Sequence, residues 1–292
     1  MLPNFFVVGA QKCGTTSLHE YLRVHPEIYL PEQKETKYFV NNEIYSKGID
    51  YYEREFFDRW QGEPLVGEID PEYMYFERGL ERIEKHFDIS ALKFIFLFRN
   101  PVDRAFSHYL MTYRRGFEDL SFEEALEAEP ERIIRDDWHR MQYSYFDRGL
   151  YARQLERFFR IVKPSQMHFI LSDKLASRPT EELAHCLKFL GLNPTEKIIV
   201  PEEKFHRAAV PRNVHFLHLI LNEGWYKKVI RILLPNDKIR LGLREKILHW
   251  NERSGADLVV PLELRKRLLA DYAEDIALLQ NMIGQDLEGW LV

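Results

Sequence analysis

Lys12, Thr15, Thr16 and Ser17 crowd into one short stretch and offer an ammonium and three hydroxyls, donors that suit an anion. Two glycines, Gly9 and Gly14, bracket the turn in which Lys12 sits. Ahead of it, Phe5-Phe6-Val7-Val8 is an unbroken apolar run with two β-branched residues, which predicts a strand covered on both faces. Behind it, Leu18, Tyr21 and Leu22 fall at helical spacing, and His25-Pro26 ends the helix. A strand, a glycine turn and a helix start aim backbone N–H groups and the positive helix end at one point, which suits a phosphate or sulfate. An ordinary strand-turn-helix with polar filler is the bland alternative, and it leaves Lys12 and the hydroxyl run unexplained.

A second chemistry-bearing junction lies at Arg99. It follows Lys93-Phe94-Ile95-Phe96-Leu97-Phe98, the most apolar run of the chain. Asn100 can cap a helix and Pro101 fits the first helical position, so a helix from Val102 to about Arg114 carries Ser107 two turns in. In an open α/β sheet, ligands bind at the carboxyl edge where Arg99 would stand. A third stretch, Lys34-Glu35-Thr36-Lys37-Tyr38-Phe39, sets charges beside aromatics close to the first loop. By itself Glu35 reads as a surface glutamate of a charged loop.

The nearest general pattern for the first loop is the nucleotide P-loop, G-x-x-x-x-G-K-[ST]. Gly9 and Gly14 have its spacing, but Thr15 follows the second glycine, and the lysine comes two places before that glycine.

The elements that would position these residues alternate. Short strands are predicted at Phe5–Val8, Pro64–Ile69, Lys93–Phe98 and Met167–Leu171, with a short extended piece at Glu27–Pro31. Helices are predicted from about Tyr51 to near Trp60, over 121–163 with a Ser121/Glu124 capping box and a break at Gly149, and from about Thr180 to Leu190. That alternation predicts a three-layer α/β domain, P-loop-like, with a central parallel sheet flanked by helices. From Phe205 the pattern changes, and 214–250 and 261–283 read as mostly helical. The expected organisation is one domain over 1–292, with an α/β core to about 204 and a helical part over about 205–292. Between Trp225 and Lys246, seven Lys or Arg face two acidic residues. That run would grip a membrane or other anionic surface, or would simply be a solvated helix face.

The chain has 292 residues, 45% hydrophobic and 14% aromatic, enough for one large domain with a core. A net charge of −5 gives no global case for nucleic acid. Cys13 and Cys186 lack metal-ligand spacing, and two cysteines make no secreted disulfide framework. No metal is expected. With no basic leader and no membrane-length apolar run in the sequence, a cytoplasmic protein is the expectation.

The loop Gly9-Ala10-Gln11-Lys12-Cys13-Gly14-Thr15-Thr16-Ser17 resembles the 5′-phosphosulfate loop of sulfotransferases that use 3′-phosphoadenosine 5′-phosphosulfate (PAPS). The stretch Phe98-Arg99-Asn100-Pro101-Val102-Asp103-Arg104-Ala105-Phe106-Ser107 resembles their 3′-phosphate motif. Lys34–Phe39, followed by Lys47–Tyr52, is similar to the Golgi heparan-sulfate branch and its bacterial relatives, and the ending Ile283–Trp290 is similar to bacterial members. The resemblance implies a transferase that moves a sulfuryl group to an acceptor hydroxyl, of a carbohydrate or glycolipid first, or of a hydroxyacyl chain on a carrier protein. It implies that Gln11, Lys12, Cys13, Gly14, Thr15, Thr16 and Ser17 line the 5′-phosphate, with Lys12 at the bridging oxygen. Arg99 and Ser107 would hold the 3′-phosphate, and Glu35 would be the base. His108 is a second base candidate, read as a helix-packing histidine. The chain departs from the branch at Ile69, where a lysine would follow Glu68, and it lacks the cysteine pair of the loop that covers the nucleotide. Phe205–Arg212 would take that place, with Arg212 reaching the 3′-phosphate. The rival readings are a P-loop kinase, which needs a metal-binding aspartate where Arg99 stands, and a catalytically dead PAPS-binding module.

Overall fold

The computed structural model describes residues 1–193, 209–211, 252–254 and 259–291. The N-terminal apolar run forms β1 (Phe5–Gly9), buried along its whole length. A strand covered on both faces needs a sheet with helices on either side. Five parallel strands supply it, in the order β2 (Ile28–Tyr29), β3 (Leu65–Ile69), β1, β4 (Lys93–Phe98) and β5 (Met167–Leu171). The intervening helices are α1 (Thr15–Leu22), α2 (Asn42–Tyr45), α3 (Ile49–Phe56), α4 (Glu72–Tyr75), α5 (Glu77–His86), α6 (Pro101–Arg114), α7 (Phe122–Ile133), α8 (Asp137–Tyr143) and α9 (Tyr151–Phe159). After β5 come α10 (Ser172–Ser177) and α11 (Pro179–Leu190). The later described segments are an antiparallel pair, β6 (Ala209–Pro211) with β7 (Glu252–Ser254), and the helix α12 (Leu262–Ile283).

The strand order places the site. From β1 the chain lays down β2 and β3 on one side, then crosses to lay β4 and β5 on the other. Where the direction of winding reverses, between β1 and β4, the flanking connections part and leave a crevice at the carboxyl edge. The two segments with the strongest anion chemistry, the loop after β1 and Arg99 after β4, both leave the sheet there.

Aromatic rings fill the core. Phe6 meets Phe87, Phe39 and Phe94 at 5.5, 6.0 and 6.1 Å between centroids. Phe158 of α9 stands edge-on to Phe96 at 4.9 Å. Each such ring contributes about 1.5–3 kcal/mol through burial. Phe5 lies across β3 at Gly67, where an added Cβ would come within 2.0 Å of the ring. Glycine is therefore required at that strand crossing.

The described residues divide into two compact units. The first gathers Met1–Arg104, Arg148–Phe205 and Leu269–Val292 and holds the sheet. Within it, Asp275 of α12 accepts the backbone N–H groups of Ala152 and Arg153 at 3.0 and 3.3 Å, capping α9, whose own N-cap supplies no side-chain bond. The second gathers Ala105–Asp147 and His206–Leu268. There the buried Glu118 accepts from Arg132 at 2.7 Å and from the Tyr145 hydroxyl at 2.8 Å. Among the described residues, no helix is long and apolar enough to cross a membrane.

Two element boundaries differ from the sequence expectation. Helix α3 stops at Phe56 rather than near Trp60, because the chain turns at Gly62 (φ 110°) and the Trp60 indole donates to the Glu63 carbonyl at 2.9 Å. The run over 121–163 begins with both halves of the Ser121/Glu124 capping box but breaks first before α8. There Asp136 caps a new helix by accepting the His139 N–H at 2.8 Å. The helix predicted over 214–250 and the basic run over 225–246 lie outside the described residues. Within 205–292, the described Leu262–Ile283 is helical.

His168 on β5 provides a pH test of the core. Its ring stacks on Phe189 at 5.1 Å, and burial lowers its pKa from 6.5 to about 4, with His185 adding to the shift. Between those pH values the unfolded chain takes up a proton that the folded chain refuses, so stability falls as pH drops. The shift corresponds to up to roughly 3 kcal/mol. In denaturant titrations, His168→Phe is expected to lose this part of the pH slope between pH 6.5 and 4, and an unchanged slope would show that His168 titrates normally.

Candidate functional site

The loop after β1 is built to present donors. Gly14 caps α1 in the left-handed conformation (φ 98°) and offers no side-chain bond to the helix. Lys12 is also left-handed (φ 70°). Such residues curl a loop so that successive N–H groups converge on a concavity. The backbone N–H groups of Gly14, Thr15, Thr16 and Ser17 donate to no backbone carbonyl, and the first to do so is Leu18, to Gly14 at 3.1 Å. These are the orphan donors of a helix start, backed by the helix dipole. Thr15 is buried, while Lys12, Thr16 and Ser17 are half-buried at the rim. The donor set fits a phosphate or phosphosulfate group, since it carries positive charge and N–H groups in one place.

The loop is tied to β4. The Ala10 N–H donates to Leu97 at 2.8 Å. Cys13 is fully buried, with its sulfur 3.5 Å from the Tyr151 hydroxyl, which itself donates to the Arg99 carbonyl at 3.0 Å. Burial pushes the Cys13 thiol up, while the Tyr151 hydroxyl contact and then the nearby Arg104 and Arg99 guanidinium charges oppose the shift. The first unit thus brings together Gln11, Lys12, Cys13, Gly14, Thr15, Thr16, Ser17 and the half-buried Arg99. Ser107 is half-buried on α6, in the second unit. Arg212 lies outside the described residues. His108 is fully buried, edge-on to Tyr145 at 5.1 Å.

Glu35 sits in a segment held to the end of β3. Its N–H donates to Ile69 at 3.2 Å, and its carboxylate pairs with Lys34. Glu35 and Lys37 both adopt positive φ, 62° and 57°. Asp70 holds this turn by accepting the Lys37 N–H at 2.8 Å and the Glu72 N–H at 3.0 Å. Asp70 is fully buried. Burial raises its pKa well above the usual carboxylate value, and the neighbouring charges of Glu35, Glu68 and Glu72 raise it further. Glu68 is likewise buried and raised, and it accepts hydroxyls from Thr36, Tyr52 and Tyr73, the last at 2.7 Å. Glu72 links this acidic row to the loop. It accepts from Gln11 at 3.3 Å and pairs with the buried Arg148 at 2.9 Å.

Sequence reasoning did not reach Asp70, Glu72, Arg148 or Tyr151. The available signal was the acidic pair of Asp70-Pro71-Glu72 just past a strand, where ligands gather. Nothing local marked Arg148 or Tyr151. Among the described residues, no group of three or more His, Cys, Asp or Glu side chains could hold a metal ion.

The model of the sulfotransferase domain family matches residues 2–209. The chain belongs to that family. Its relatives include heparan sulfate glucosamine 3-O-sulfotransferase 5 of Mus musculus, 30% identical over 66% of this chain and 54% of that protein. The 3-O-sulfotransferase 3B1 of Homo sapiens is 30% identical over 70% of this chain and 49% of its own length. The chain therefore spans about half the length of the 3-O-sulfotransferases it matches. A crystal structure of a sulfotransferase from Alicyclobacillus acidocaldarius is 29% identical, with a TM-score of 0.70 over 99% of both chains. That likeness supports the family's P-loop-like fold for the sheet-bearing unit.

Proposed function

We propose that this protein transfers a sulfuryl group from PAPS to an acceptor hydroxyl of a carbohydrate or glycolipid. The observation that carries the reading is the uncapped start of α1, with Lys12 beside it and Arg99 on the adjoining strand end of the same carboxyl edge. One side of that crevice answers a 5′-phosphosulfate and the other a 3′-phosphate. A kinase would want a metal-binding aspartate after β4, where Arg99 stands.

When bound, the donor supplies an activated sulfuryl group whose leaving group is a nucleotide phosphate. Lys12 and the N–H groups of Gly14 to Ser17 receive the negative charge that grows as that bond breaks, and fixed donors need no reorganisation to do so. Arg99 holds the other end of the nucleotide. Glu35 takes the proton that the acceptor hydroxyl gives up. Asp70 acts through the backbone, fixing the turn that carries Glu35. The names of the 3-O-sulfotransferase relatives support a sugar hydroxyl as acceptor.

The test pairs binding with turnover. The desulfated nucleotide 3′-phosphoadenosine 5′-phosphate (PAP), at ~100 times its Kd, is expected to add about 2.7 kcal/mol of stability in a thermal shift, and ATP with magnesium far less. Stabilisation by ATP with magnesium but not by PAP would sink the proposal. Full turnover of Glu35→Gln with radiolabelled sulfate donor would move the base elsewhere while leaving the donor reading intact.

A further inference from the structure

We infer that Tyr151 is a positioning residue that sets the spacing between the 5′ and 3′ halves of the nucleotide site. The inference rests on the donor reading above. Tyr151 opens α9 and is completely buried, with its ring 5.0 Å from Phe98 and 6.5 Å from Trp290. Its single hydroxyl hydrogen goes to the Arg99 carbonyl at 3.0 Å. The Cys13 sulfur lies 3.5 Å from that hydroxyl and 3.8 Å from the Gln11 carbonyl, so its S–H has both acceptors in reach and the shorter contact is the one to Tyr151. The bridge runs from Cys13, between Lys12 and Gly14, to the main chain of Arg99.

The Arg99 carbonyl needs this partner. Arg99 lies one residue beyond the last paired residue of β4, Phe98 opposite Leu171. Helix α6 starts two residues later at Pro101, and Asn100 before it accepts the Val102 N–H at 3.0 Å through its side chain and the Arg104 N–H at 2.9 Å through its carbonyl. The part-buried Arg99 carbonyl thus belongs neither to the ladder nor to the helix, and the Tyr151 hydroxyl supplies its donor. Asn100 in turn donates to the Trp290 carbonyl at 2.9 Å, bracing the same junction from the C-terminal segment. Burial raises both the thiol and the phenol, so both keep their protons at neutral pH and the bridge holds its polarity.

A ligand with a phosphate at each end feels this spacing, and one with a single phosphate does not. Tyr151→Phe keeps the ring and its packing and removes only the bridge. By isothermal titration calorimetry its Kd for PAP is expected to rise about tenfold, the worth of one buried hydrogen bond. Adenosine 5′-phosphate, which engages only the loop, is expected to change less than about twofold. In an Arg99→Ala background, where no guanidinium remains to be placed, Tyr151→Phe should add less than about twofold to the loss of PAP affinity, the non-additivity of a pair that acts as one unit. A merely structural role would weaken both nucleotides alike and would persist in the Arg99→Ala background, so either result overturns the inference. If Tyr151→Phe fails to fold, Cys13→Ala opens the loop end of the bridge alone, and an unchanged preference for PAP in that variant counts against the inference equally. A wild-type protein that binds PAP no better than adenosine 5′-phosphate overturns the donor reading and this inference together. A wild-type preference for PAP that survives intact in Tyr151→Phe overturns the bridge alone.

Discussion

Lys12→Ala is expected to lower kcat by about 10²- to 10³-fold, the loss typical when one preorganised donor to a developing oxyanion is removed. Affinity for PAP should change only a few-fold. The split follows from where the charge sits. On the proposed donor reading, the ground-state nucleotide's charge is shared among the first-turn N–H groups of α1, the loop hydroxyls and Arg99, so one missing ammonium among many donors weakens binding modestly. As the sulfuryl bond breaks, new charge accumulates at the 5′ end, next to Lys12. An interaction that strengthens only at that moment appears in kcat and not in Kd. Rapid-quench measurement of a single turnover with radiolabelled donor, beside calorimetry with PAP, separates the two. Equal losses in kcat and in PAP affinity would make Lys12 a binding residue only.

The second large effect is on stability. Glu72→Ala is expected to cost about 3–5 kcal/mol, because it leaves the Arg148 guanidinium buried without its carboxylate. Glu72 and Arg148 are 2% and 1% exposed at the side chain and 2.9 Å apart. The Arg148 guanidinium also lies over the Tyr75 ring at 4.1 Å. A domain with the usual 5–15 kcal/mol in total would lose a large share of its stability. Urea unfolding of Glu72→Ala against the double variant Glu72→Gln, Arg148→Met checks the mechanism, since removing both charges should recover much of the loss. By contrast, the Lys266–Glu263 pair, 62% and 85% exposed, is expected to contribute below ~1 kcal/mol. Glu72 also accepts from Gln11, so its loss should loosen the anion loop as well as the core.

Much of the fold was legible along the chain because its signals are local. Phe5–Val8 and Phe94–Phe98 are buried on both faces and therefore continuously apolar, and β3 and β5 are short, mostly apolar runs interrupted by Glu68 and His168. Helix starts at Pro101 and Ser121 carry their caps within four residues. The loop from Gln11 to Ser17 is legible for the same reason, since its donors belong to one turn and one helix start. The break before α8 was hidden, because Asp136 is ordinary in a charged helical run until its side chain turns back to cap the next helix.

The amino-acid order by itself determined the parallel α/β sheet, the anion loop with its displaced lysine, and the arginine at the end of β4. Each follows from spacing within a dozen residues, over which backbone geometry is nearly fixed. Only the tertiary structure decided the strand order that sets β1 beside β4. It also decided the Asp70 latch under the turn that carries Glu35, the Glu72–Arg148 pair and the Tyr151 bridge from Cys13 to Arg99. Partners in these contacts lie as far apart in sequence as 138 residues, as Cys13 and Tyr151 do. No local periodicity records such a meeting, because it arises only when packing buries the polar groups and forces each to find a partner.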